Sequence, residues 1–66
     1  MKTFYDVQQL LKKFGIIIYV GDRSGDIELM EREIRELYKN QLIEQDVFQL
    51  AILILKHERQ NCKKIF

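Results

Sequence analysis

The sequence predicts an all-α protein: a three-helix bundle with an extended connector between helices 1 and 2. Two observations carry that expectation. Apolar residues recur at helical spacing in three segments, about 3–14, 23–39 and 44–61. Between the first two lies Ile16–Val20, a β-branched and aromatic run bounded by Gly15 and Gly21, with no second run of its kind to pair with. The 66 residues hold no proline, repeat or low-complexity stretch, so a single domain, 1–66, is expected.

Helix 1 opens at Thr3, and Thr3 with Asp6 resembles a capping box with a shorter acid than usual. Phe4, Val7, Leu10, Leu11 and Phe14 then share one face, and Gly15 stands where a C-terminal cap belongs. The opposite side presents Tyr5, Gln8, Gln9, Lys12 and Lys13. That mixture of a flat ring, amides and cations suits a polar ligand, and equally describes an ordinary wet face.

A lone strand at Ile16–Val20 would leave its backbone groups without partners. Either the run crosses the bundle as an extended connector, or it pairs with its copy in another subunit. The connector is favoured, because short isolated strands gain little.

Helix 2 has a clear face: Ile27, Met30, Ile34, Leu37 and Tyr38 fall at i, i+3, i+7, i+10 and i+11. Its start falls between Asp22 and Gly25, since Asp22 and Ser24 can each accept a first-turn N–H, and Asp26 and Glu28 suit the positive end of the helix. Gly25 inside that turn costs about 1 kcal/mol relative to alanine. Outside, Glu28–Arg32, Glu31–Arg35 and Glu36–Lys39 are spaced as solvated pairs. Asn40, tolerant of left-handed geometry, is the expected stop.

Gln41–Ile43 link to helix 3, where Ile43 is placed to staple onto Phe48 and the acids Glu44 and Asp46 occupy the favourable end. From Val47 to Leu55 helix 3 is apolar on nearly every side. Such a helix is the buried centre of a bundle or has a second face covered by a partner. Two companion helices in so short a chain cannot easily enclose it, which points to a homo-oligomer or a protein partner. Lys56 and His57 lie near the negative helix end, and the basic tail beyond is expected to fray.

Hydrophobic residues at 47% and charged residues at 32% exclude a disordered chain. Cys62 stands alone, so no internal disulfide can form, and the N-terminus lacks the basic-then-apolar layout of a signal peptide. A cytoplasmic protein is expected. No membrane span is expected either, since the longest apolar run, Leu50–Leu55, is far short of roughly 20 residues. Charge is uneven: four cations face two acids in 1–23, three face seven in 24–46, and four face one in 47–66. Basic ends lying together would form a modest positive patch.

Catalytic and cofactor chemistry finds little support. Asp22, Ser24, Asp26, Glu28 and Glu33 match positions 1, 3, 5, 7 and 12 of a calcium loop, but the required glycine at position 6 is Ile27. Gly21, Arg23, Ser24 and Gly25 at a helix start could cradle a phosphate, yet the Walker lysine is absent and three acids surround them. Thr3, Ser24 and Cys62 have only His57 as a base, and His57 and Cys62 lack the companions of a zinc site. We expect no enzyme, no cofactor and no metal. Single-stranded RNA or DNA binding, which needs a positive track with stacking rings, finds candidates in Lys2, Tyr5, Lys12, Lys13, Tyr19 and Arg23. The plainer alternative makes Tyr19 and Tyr38 core or rim residues and the lysines solubilising.

Five segments in order, Phe4-Tyr5-Asp6-Val7-Gln8-Gln9-Leu10-Leu11, Tyr19-Val20-Gly21-Asp22-Arg23, Glu28-Leu29-Met30, Glu36-Leu37-Tyr38 and Leu42-Ile43, closely resemble the YqgQ family, small cytosolic proteins of Gram-positive bacteria. The resemblance spans nearly the whole chain. It implies a three-helix bundle, and contact with single-stranded nucleic acid has been suggested for the family. A departure is Glu44, where a serine or threonine cap is expected, which bears on where helix 3 begins. The leading expectation is a non-catalytic module that contacts single-stranded nucleic acid. The alternative is a protein-interaction adaptor or small homo-oligomer using the apolar surface of helix 3 and Ile16–Val20.

Overall fold

A computed structural model describes residues 1–62 without the side chain of Cys62; the Cys62 thiol and the basic tail with Lys63 and Lys64 lie outside the described residues. Three helices follow in order: α1 (Phe4–Lys13), α2 (Arg23–Lys39) and α3 (Gln45–Cys62). Among the described residues there is no strand.

The capping box at the start of α1 is complete. Thr3 Oγ1 accepts the Asp6 N–H at 3.3 Å, and Asp6 Oδ2 accepts the N–H groups of Thr3 at 3.1 Å and Lys2 at 2.8 Å. At the other end Gly15 adopts φ +78, its N–H bonds the Lys12 carbonyl at 2.9 Å, and the Ile16 N–H bonds the Leu11 carbonyl at 3.0 Å. This is a Schellman closure, which reverses the chain into the connector.

α2 starts at Asp22, whose Oδ2 accepts the Gly25 N–H at 3.0 Å, while Ser24 is a helical residue. Gly25 has a packing reason to be there: a Cβ at that position would lie 3.0 Å from Val20 Cγ2 and 3.3 Å from Asp22 Oδ2. The far end repeats the Schellman pattern, with Gln41 N–H to the Tyr38 carbonyl at 3.0 Å and Leu42 N–H to the Leu37 carbonyl at 2.8 Å. Asn40 is the cap, where the sequence places the stop, but the left-handed conformation falls one residue later. Asn40 keeps φ −89 because its N–H still bonds the Glu36 carbonyl, and Gln41 takes the left-handed position with φ 62.

Glu44 precedes α3. Its carbonyl receives the first helical bond from the Phe48 N–H at 2.9 Å, and Asp46 Oδ1 accepts the Val47 N–H at 2.9 Å. Ile43 and Phe48 are both half-buried against the core, and the Phe48 ring stacks on Tyr38 with centroids 4.3 Å apart.

The core takes Val7 and Leu11 from α1, Ile27, Met30, Ile34 and Leu37 from α2, and Ala51 and Leu55 from α3. α2 and α3 pack against each other far more extensively than either packs on α1. Glu31 accepts from Arg35 of its own helix at 3.4 Å and, across that interface, faces Arg59 of α3 at 3.7 Å, so it is more than a solvated acid. Among the described residues no helix is long and apolar enough to cross a membrane.

Candidate functional site

The site is built by the connector. Five extended residues span roughly 16 Å, about the length of a ten-residue helix. Reversed by Gly15, the connector therefore runs back along α1: Ile16–Ile18 lie beside Gln8, Gln9, Leu11 and Lys12, and the Arg23 guanidinium sits 4.4 Å from the centroid of the Phe4 ring. Its far end is anchored where Asp26 Oδ1 accepts the Val20 N–H at 2.7 Å. Asp26 is only 7% exposed, so this carboxylate serves the connector and does not face a ligand.

Side chains of the connector alternate. Ile16 and Ile18 turn into the core, whereas Ile17 (78% exposed) and Tyr19 (83% exposed) stand in solvent. The plainer expectation that Tyr19 belongs to the core or rim is thereby corrected, while Tyr38 is a rim residue stacked on Phe48.

Between connector and α1 a recess of about 220 Å³ opens. Its floor is formed by buried Leu11 and Met30 and half-buried Ile16 and Ile18; Gln8, Gln9, Lys12 and Ile17 form its rim. No carboxylate lines it. Tyr5, Gln9 and Lys12 share one face of α1, Tyr5 and Lys12 two turns and roughly 10 Å apart.

A family model, YqgQ-like, matches residues 1–61. The chain belongs to the YqgQ-like family. It is 51% identical over 63 residues to the uncharacterized protein YqgQ of Bacillus subtilis (strain 168), an alignment that covers 96% of this chain and 89% of the relative. The resemblance read from the five segments is thus established, and the three-helix architecture it implied is the one observed.

In this YqgQ-like chain the six candidate residues divide into two groups. Tyr5, Lys12, Lys13 and Tyr19 are exposed on α1 and the connector. Lys12 and Lys13 lie in the last turn of α1, where they also complement the negative helix end. Lys2 and Arg23 lie near the first turn of α1, the end that also carries Tyr5. Lys2 lines a second recess of about 500 Å³ with Phe4, Leu53, His57 and Glu58. Arg23 is engaged twice over, ion-paired with Glu58 of α3 and stacked on Phe4 of α1. It joins all three helices.

Asp6 has a displaced titration. The backbone N–H of Lys2 and then that of Thr3 hold its carboxylate charged, which lowers its pKa from the ordinary aspartate value. Thr3 spends its hydroxyl on the same cap, and Asp22, first acid of the calcium-loop spacing, caps α2.

The sequence put the rim residues on one face but missed the floor. The alternation of Ile16 and Ile18 against Ile17 and Tyr19 was the available signal, obscured because the whole run is apolar.

Proposed function

We propose that this protein is a non-catalytic, cytoplasmic binding module that contacts single-stranded RNA or DNA through α1 and the connector. One observation carries the reading: Lys12 stands on the rim of a carboxylate-free recess between α1 and the connector, and the same two elements expose Tyr5, Lys13 and Tyr19. Rings in solvent offer stacking platforms for bases, and unpaired lysines attract the phosphate chain. Asp6, the acid of α1, sits in the first turn, away from Lys12 and Lys13 in the last. The surface holds amides, phenols and ammonium groups, which bind and orient but offer no nucleophile with a base.

Fluorescence anisotropy with labelled single-stranded RNA and DNA, at low and near-physiological salt, tests this. Saturable binding that weakens steeply with salt is expected. Lys12→Glu with Lys13→Glu should weaken it and reduce the logarithmic salt slope by about 1.4, the value for two phosphate contacts. Unchanged binding by that variant refutes the surface.

A second reading, a protein-interaction adaptor or small homo-oligomer, is favoured by α3. Its Leu53 is 66% exposed and Leu50, one turn away, is also exposed, so the apolar excess of this helix is not wholly enclosed. Sedimentation at high concentration separates the two: a concentration-dependent mass supports self-association, and a monomer that binds oligonucleotides supports the first.

A further inference from the structure

We propose that the recess between α1 and the connector is a base pocket, which receives one unstacked nucleobase of a single strand. The inference rests on the nucleic-acid reading above and adds where a base goes and what holds it.

At about 220 Å³ the recess is smaller than the roughly 300–1,000 Å³ of sites for drug-sized ligands, and suits a single planar ring system. The floor of Leu11, Ile16, Ile18 and Met30 is apolar and takes the face of a ring. The rim is different in kind: Gln8 and Gln9 each offer a carbonyl acceptor and two N–H donors, the complement of a base edge that mixes both. Lys12 stands on the same rim, placed for the phosphate of the nucleotide whose base is inserted. An aliphatic peptide side chain would fill the floor and leave both amides without use. A free anion would be served by Lys12 and gain nothing from the floor. A base with its phosphate uses all three.

Flanking groups extend the track. Tyr5 lies on the same α1 face as Gln9 and Lys12, and Tyr19 directly follows Ile18 with its ring in solvent. Neighbouring bases stack there, outside the pocket.

The test compares labelled oligothymidylate and oligoadenylate with an abasic sugar–phosphate strand of equal length, by anisotropy at low salt. The base-bearing strands should bind about tenfold more tightly than the abasic one. Gln8→Leu with Gln9→Leu, which keeps bulk and helix propensity, should bring them close to the abasic level without changing abasic binding. Lys12→Glu should weaken all three. Equal affinity with and without bases overturns the pocket while leaving phosphate contact standing, and absence of binding by every strand overturns both. Helicity of each variant by circular dichroism separates a lost contact from a lost fold; should the double variant unfold, Gln9→Leu alone, at an exposed position, is read the same way.

Discussion

The α2–α3 pair and the α1–connector half obey different rules. In the first, an acid of one helix meets a cation of the other, Glu31 and Arg59, and buried side chains of two long helices interlock. In the second, order comes from backbone hydrogen bonds. A capping box starts α1, a glycine closes it, and one buried carboxylate holds the connector by a single N–H. Val7, Leu11, Ile16 and Ile18 still face the core, but the outward side chains of that half make none of the structural contacts, and Tyr5, Gln9, Lys12 and Tyr19 remain in water. Stability resides in one half and unspent chemistry in the other.

The largest effect should come from breaking the first half. Leu55 is fully buried on α3, and Leu55→Ala should cost about 2–5 kcal/mol in urea unfolding. In a domain this small that is a large share of the total. The second effect should be intermediate and local. Asp26→Ala removes the partner of the Val20 N–H and should cost about 1–3 kcal/mol. Faster hydrogen exchange at Val20, with α2–α3 amides still protected, is the outcome that distinguishes a released connector from a general loosening. An equal loss of protection throughout would show that the two halves are not separable.

Third in size is a matched pair of turns. α1 and α2 end in the same Schellman geometry, one with Gly15 in the left-handed position and the other with Gln41. A side chain there costs about 1 kcal/mol. Gly15→Ala should therefore destabilise by about that amount, and Gln41→Gly should stabilise by a similar one, both read from unfolding midpoints. Opposite signs at two equivalent ends would isolate backbone strain from every contact the side chains make.

How far the sequence could be read follows from the same division. The helices and most of the core were legible because Val7, Leu11, Ile27, Met30, Ile34 and Leu37 repeat at helical spacing, and Thr3 with Asp6 announces its cap locally. What escaped depends on long-range geometry. No local pattern reveals that Arg23 reaches Glu58, 35 residues on, or that Asp26 turns back to Val20 instead of serving the first turn of α2. The candidate site was half legible for a related reason. Helical periodicity groups Tyr5, Gln8, Gln9 and Lys12, but the floor beneath them exists only because Gly15 folds the connector back along α1.

The smallest expected effect concerns pH, and it acts on the backbone-held half. With its pKa lowered by the Lys2 and Thr3 N–H groups, and more weakly by the N-terminal charge, Asp6 stabilises the folded state in its ionised form. A group whose folded pKa is depressed contributes fully above its unfolded value, about 3.9 for aspartate, and loses that contribution as pH falls through the lower folded value. Acid should thus loosen the start of α1 below about pH 4. Asp6→Asn keeps an acceptor oxygen but cannot titrate, so wild type should exceed the variant in thermal stability near neutrality and converge with it in acid. A gap that persists unchanged to about pH 2 would mean that the carboxylate's shape, not its charge, closes the box, since nothing else in the substitution depends on the proton.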